Sequence, residues 1–471
     1  MLGVAGRLNH VFRPVILISF FNFESIMSEQ NGRTVALYTL GCRLNQYETD
    51  AIREQFVTRG FKVVPYSHEA DVYVVNTCTV TAHADYRGRQ MLRRAIRKSP
   101  GATVVATGCY AQTSAEKLLD IEGVDLVLGN AEKGKVVDYV LDRLPDSLPE
   151  AHVTRRSDLS TFDNRMDAHS FEGRTRATLR VQDGCDQFCT FCIIPWARGR
   201  HRSRPLDQVV SQARTLLERG FKEVILTGVH IGEYGTDLDE DITLTETIRT
   251  LVEIPDLPRL RLSSIWPTAI TDEMMDMMEN PQNPLCRYLH LAVQHGNDDI
   301  LKKMRRTYTT GTVENLLDTL VTRMPDFGIG TDIMVGFPGE SDDHFNAMRG
   351  WLEAMPFAYL HVFSYSRREK TRAASYPDQV HPDVITERSK ILRDLSKTKS
   401  KQFGERFLGK TVRVLVEDRD ATGRLTGHTD QHLKVYVPGE DHLTNTLIDV
   451  VVDEVIEDGV LALPARVCQN E

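Results

Sequence analysis

Cysteine is scarce in this chain, with eight in 471 residues, at positions 42, 78, 109, 185, 189, 192, 286 and 468. So thin a supply excludes a secreted scaffold stapled by disulfides. Long apolar runs are missing too. None reaches the roughly 18–20 residues that a bilayer-spanning helix needs, so a cytoplasmic protein without membrane attachment is expected. Positive charge is not in excess either: 57 Lys and Arg against 66 Asp and Glu leave a net charge of −9. A nucleic-acid site must then be a local patch and not a property of the whole surface. What is present, 41% hydrophobic and 26% charged residues over 471 positions, describes a core-forming protein of two or more domains.

Residues 1–33 contain one apolar stretch, VILISFFNF (Val15–Phe23), with no small-residue cleavage site after it. They are expected to be a disordered extension, or to precede a true start at Met27. From residue 34 the pattern becomes regular. RTVALYTLGCRLNQYETDAIREQFVTRGFKVV reads as strand, glycine turn, helix, strand, and ADVYVVNTC, ATVVATGC and VDLVLGN repeat the buried strand that ends in a polar turn. Such alternation predicts a parallel α/β domain over residues 34–148. A stretch rich in Pro, Ser and charge follows and reads as a linker, 149–173. Six further strand candidates, ATLRVQD, EVILTGV, LRLSSI, YLHLAV, IGTDIMVGF and YLHVFSYS, are separated by helical stretches. They predict a complete or partial βα barrel over 174–402, with its chemistry at the C-terminal strand ends. Residues 403–467 alternate with period two and predict a small all-β barrel.

Three of the rare cysteines fall within eight residues, in QDGCDQFCTFCIIPWARGRHRSR. A structural zinc site commonly draws four ligands from two CxxC pairs, and no second pair follows. Three thiolates on one loop suit a cubane iron–sulfur cluster with one iron left open to a small molecule. Cys42, Cys78 and Cys109 each close a strand of the N-terminal domain. In a parallel sheet those ends share one edge, so a second three-thiolate cluster is expected beside the first.

CxxxCxxC after the first barrel strand is the signature of the radical S-adenosylmethionine enzymes. Together with TLGCRLNQYETD, NTCTVT and TGCYAQ it resembles the radical methylthiotransferases, over about residues 34–466 and including a TRAM-like C-terminal barrel that binds RNA. Within them, GCRLNQYETD and CTFCIIPWARGRHRSR are most similar to the branch that converts N6-threonylcarbamoyladenosine at tRNA position 37 to its 2-methylthio form. Two other branches act on isopentenyladenosine 37 of tRNA or on an aspartate of a ribosomal protein. The resemblance implies that Cys185, Cys189 and Cys192 hold the 4Fe–4S cluster that cleaves S-adenosylmethionine, giving the radical that takes hydrogen from adenine C2. It implies that Cys42, Cys78 and Cys109 hold a second 4Fe–4S cluster, the source of the sulfur. A reductant such as flavodoxin or ferredoxin would supply the electron to an enzyme expected to be a monomer.

Further marks are assigned on the same basis. Thr227 and Gly228 open TGVHIGEYG, where the superfamily binds the amine of S-adenosylmethionine, and Asp332 and Glu340 in TDIMVGFPGES are candidate cofactor contacts. Trp266 stands where relatives usually carry Glu, and His295 is read as structural. Arg198, Arg200, Arg202 and Arg204 follow the cysteine loop and are expected to grip the phosphates of an anticodon stem-loop. Arg174, Arg176, Arg180 and the runs Arg87–Lys98, Lys302–Arg306 and Arg367–Arg372 extend that basic surface. Cys286 and Cys468 are read as ordinary thiols.

Overall fold

Strands form where short β-branched runs are framed by polar or glycine turns. Val72–Thr77 (VYVVNT) is buried along its whole length, as a strand covered on both faces has to be. The computed structural model of the protein describes residues 32–464 apart from 145, 146, 172, 240 and 241. The expected N-terminal extension lies outside the described residues up to position 31, and so does Cys468. No helix among the described residues is long and apolar enough to cross a membrane.

Six parallel strands make the first sheet, in the order Lys62–Val63, Thr34–Thr39, Val72–Thr77, Thr103–Gly108, Leu126–Leu128 and Glu150–His152. Helix Ala82–Lys98 packs Leu92 and Ala95 with Tyr73 and Val75 on one face. Its first turn is capped by Thr81, whose hydroxyl accepts from the Ala84 N–H at 3.1 Å. Helix Arg43–Thr58 packs Tyr47, Ile52 and Phe56 on the other face, in a core continuous with that of the next domain. Residues 149–173, expected to be a linker, are packed instead. Glu150–His152 is the edge strand of this sheet, and Leu159, Met166, Ala168 and Phe171 are buried. Their irregular spacing gave neither helix nor strand period, which is why the segment read as a connection.

The six expected barrel strands are all present: Arg176–Arg180, Glu223–Thr227, Leu260–Leu262 continuing as Ser264–Ile265, Tyr288–Gln294, Gly328–Val335 and Tyr359–Ser364. They pair in chain order, changing sheets at Ser263, and no pairing joins the first to the last among the described residues. The barrel is partial and open along one side. The N-terminal domain reaches both lips of that opening. Asp50 pairs with Arg174 just before the first strand, and Asp85 with Arg368 just after the last.

Residues 411–464 close into a five-stranded barrel, ordered Thr411–Arg419, Leu425–Thr429, Lys434–Val437, Gly459–Pro464 and Leu447–Ile456. Val412, Val414 and Val416 point inward while Thr411 and Arg413 face out, the period of two that the sequence shows. Arginines fasten this barrel to the N-terminal ends of the central strands. Arg259 donates to the carbonyls of His428 and Arg413, at 2.9 and 2.6 Å. Arg261, fully buried, donates to the carbonyls of Thr429 and Asp430 and pairs with Glu223 at 2.6 Å. Burial alone would raise the Glu223 pKa, but Arg261 holds it down to about 2. Removing one partner of such a pair strands the other charge, at a cost of about 3–5 kcal/mol. Arg261→Met is therefore expected to destabilise the apoprotein by that order in urea unfolding, and to expose the C-terminal barrel to limited proteolysis before the rest.

Candidate functional site

The first central strand runs into the loop that carries Cys185, Cys189 and Cys192. Gly184 opens it with φ +71°, and a Cβ there would lie 1.8 Å from the Arg200 carbonyl oxygen, so only glycine fits. Phe188 takes φ +46°, a left-handed turn that is rare for a bulky side chain. The thiols lie close enough to oppose one another's ionisation. Burial and then the neighbouring thiol groups push Cys192 far up, and Cys185 rises to about 11 for the same reasons. Such thiols become thiolates when metal ions replace their protons. Three of them on one loop fit a cubane with an open iron.

Cys42, Cys78 and Cys109 sit at the C-terminal ends of three neighbouring strands, so the sheet brings them together as the sequence predicts. Gly41 makes this possible. Its φ is +102°, and a Cβ would fall 2.7 Å from Cys78 Cβ. Burial, then Cys109 and Cys42, pushes the Cys78 thiol up to about 12. Cys109 is raised by burial as well, against the pull of Arg198 and Lys133.

That arginine corrects one expectation. Arg198 does not face solvent. Its guanidinium is 1% exposed, donating to Glu48 at 2.8 Å, Asp183 at 3.0 Å and Asn45 at 2.7 Å, while Lys133 also pairs with Glu48. Arg202 pairs with Asp183 at 2.9 Å and Arg204 with Asp167 at 2.7 Å, both buried. Buried carboxylates must be paired, and these arginines are the partners, so they are not free to bind phosphate. Arg174, Arg176 and Arg180 are likewise engaged, by Asp50, Glu417 and the Asp163 carbonyl. Of the four arginines after the cysteine loop only Arg200 is exposed. Exposed cations do occur close by. Arg305, Lys370 and Arg372, with Trp196, line a cavity of about 360 Å³ beside Cys189 and Cys192.

The glycine turn is shaped by Gln182, whose side-chain oxygen accepts from the N–H groups of Val229 and His230 at 2.8 and 2.7 Å, while Thr227 and Gly228 stay against the barrel interior. His230 is buried, and neither ring nitrogen has a partner among the described residues. Burial, then Arg306 and His201, lowers its pKa to about 4. A neutral imidazole with a free donor and acceptor at this turn fits a polar cofactor such as S-adenosylmethionine. Trp266 packs against His230 with ring centroids 4.5 Å apart and lies under the Arg306 guanidinium at 4.0 Å. Arg306 in turn donates to Cys189 Sγ at 3.3 Å. The basic run Lys302–Arg306 gives no hint that one member turns inward.

Glu340 is also corrected. It is fully buried and held by Arg388, His295 and the Gly336 N–H, so it is tied into the packing and not open to a cofactor, and His295 is structural. Asp332 does face the barrel interior. His361 Nδ1 and His290 Nε2 both meet its Oδ1, at 2.8 and 3.0 Å, and burial is outweighed by these contacts, which hold its carboxyl well below the usual range. No sequence signal marks this trio, since it assembles only when the fourth, fifth and sixth strands align.

The comparisons with known proteins agree with this architecture. Residues 34–129 match the uncharacterized protein family UPF0004, 179–352 the radical SAM superfamily and 405–453 the TRAM domain. The threonylcarbamoyladenosine tRNA methylthiotransferase MtaB of Bacillus subtilis is 37% identical, covering 89% of this chain and 93% of its own. The chain belongs to the radical S-adenosylmethionine methylthiotransferase family. Another member, the tRNA-2-methylthio-N(6)-dimethylallyladenosine synthase of a Thermoanaerobacter species, is 31% identical over 92% of this chain and 93% of its own. Among solved structures, the radical S-adenosylmethionine methyltransferase TsrM from Kitasatospora setae shares the fold, with a TM-score of 0.53 at 18% identity over 73% of this chain and 77% of that one.

Two outcomes test the site. Burial would raise the Glu48 pKa, but Arg198 and Lys133 hold it down to about 2. Its contribution to stability is complete above the ordinary value of 4.5 and is lost as pH falls through about 2. Glu48→Gln should therefore flatten the acid limb of apoprotein stability between those limits, measured by urea titration at a series of pH values. Arg306→Ala removes a donor and a positive charge from Cys189. A cluster held there should become harder to reduce, seen as a lower midpoint potential by spectroelectrochemistry at unchanged iron content.

Proposed function

We propose that this enzyme adds a methylthio group to C2 of N6-threonylcarbamoyladenosine at position 37 of tRNA. The reading is supported by two separate sets of three thiols, one at neighbouring strand ends of the N-terminal sheet and one on the loop after the first central strand, in domains that Arg198 bridges. In this proposal Cys185, Cys189 and Cys192 hold one 4Fe–4S cluster and Cys42, Cys78 and Cys109 the other. The clusters and S-adenosylmethionine supply the radical, sulfur and methyl chemistry when bound. The chain itself ligates, orients and keeps water out. Gln182 sets the turn where His230 would meet S-adenosylmethionine, and Arg306 neutralises charge at Cys189. The exposed Arg200, Arg305, Lys370 and Arg372 supply the cationic lip for an anticodon loop, whose adenosine leaves its stack to enter the barrel. The partners are then tRNA and a cytoplasmic reductant of the flavodoxin or ferredoxin kind.

Anaerobic reconstitution should yield about eight iron and eight sulfide per chain. Replacing Cys42, Cys78 and Cys109 by Ala should halve the iron and abolish methylthio product while S-adenosylmethionine is still cleaved. Replacing Cys185, Cys189 and Cys192 should abolish cleavage itself. Mass spectrometry of the nucleosides reads the product. Modification of isopentenylated tRNA alone, or of a ribosomal protein alone, would overturn the substrate; full iron in either triple variant would overturn the ligand sets.

A further inference from the structure

Almost every arginine that faces the barrel interior is matched by a carboxylate or a carbonyl. Arg176 has Glu417, Arg261 has Glu223, and Arg180 has the Asp163 carbonyl and Asp183. Arg43 does not follow the pattern. It makes no hydrogen bond, ion pair or ring contact among the described residues, and it lines a cavity of about 250 Å³ between the N-terminal domain, the first two central strands and the C-terminal barrel. The wall also holds Gln46, Arg174, Arg176, Thr178, Glu417 and Asp418. Arg174 and Arg176 have their own carboxylates, and Asp418 makes no ion pair with Arg43. Gln46, one helical turn after Arg43 on the same helix, has a side-chain amide with no partner either.

Arg43 directly follows Cys42 in the chain, so it stands one residue from the thiols that the proposed reaction places at adenine C2. Arg43 and Gln46 are exposed to this cavity, and a guanidinium with no carboxylate of its own can take one through two parallel hydrogen bonds. The threonylcarbamoyl arm on N6 carries a carboxylate beyond a urea-like linkage, and an isopentenyl arm carries neither.

We infer that Arg43, with Gln46 beside it, forms the subsite that takes the carboxylate and urea-like group of the N6 substituent, and so selects the threonylcarbamoylated nucleoside. The inference rests on the substrate reading above. Arg43→Gln tests it in the reconstituted full chain, using two anticodon stem-loops: one with the threonylcarbamoyl arm, the other with its carboxylate converted to the methyl ester. Wild-type enzyme should favour the free acid by about 10- to 100-fold in kcat/KM. Arg43→Gln should lose that factor on the acid and change little on the ester, with iron content and substrate-free S-adenosylmethionine cleavage unchanged. A loss of equal size on both RNAs, with a shallower salt dependence, would show that Arg43 holds a phosphate and overturn the inference. Loss of iron would also overturn it, making Arg43 a prop for the Cys42 turn. Wild-type enzyme that modifies neither stem-loop would instead refute the substrate reading itself.

Discussion

The Arg198 guanidinium is the constraint on which the arrangement depends. It takes acceptors from two domains at once, Glu48 and Asn45 from the N-terminal helix and Asp183 from the end of the first barrel strand. All four groups are buried. Without the guanidinium Glu48 would keep only Lys133 and Asp183 only Arg202 and Arg180, and two like charges would meet across the domain boundary with no bridge between them. Because Arg198 lies six residues beyond Cys192, and its charge bears on Cys78 and Cys109, the same group that docks the domains sets the relation between the two thiol sets. Stability and chemistry are therefore not separable here.

Much of this was legible in the chain. Cysteine spacing gave the first thiol set, and three strands ending in Cys gave the second, because a parallel sheet aligns its strand ends by rule. Each of the six barrel strands was marked by its own apolar run. The arginines were harder to read. Composition says that a charge is present, not which carboxylate it will meet, so Arg198, Arg202 and Arg204 read as surface when the fold makes them interior. Glu340 failed for the same reason, since Arg388 lies 48 positions away. The His290–Asp332–His361 contact arises only through strand register, which no local pattern encodes. His230 was within reach: a histidine inside a glycine turn is an odd residue that needs a reason.

The stretch GCRLNQYETD, which first suggested the branch, now divides by role. Gly41 and Cys42 shape the thiol edge, Asn45 and Glu48 hold Arg198, and Arg43 and Gln46 turn to the cavity. One and a half helical turns thus hold the docking residues together with those proposed for ligation and selectivity. A substitution chosen to alter one of these acts within a few ångströms of the other two, which limits how independently they can change.

The fastening of the C-terminal barrel has a mechanical consequence. Arg259 and Arg261 bind backbone carbonyls of that barrel, and Arg287 adds an ion pair to Asp430 at 2.8 Å. Backbone carbonyls are fixed points, so this joint has little play. A module attached this way cannot swing relative to the central strands. Like a caliper with a locked jaw, it keeps the span between the C-terminal barrel and the central strands a constant of the protein.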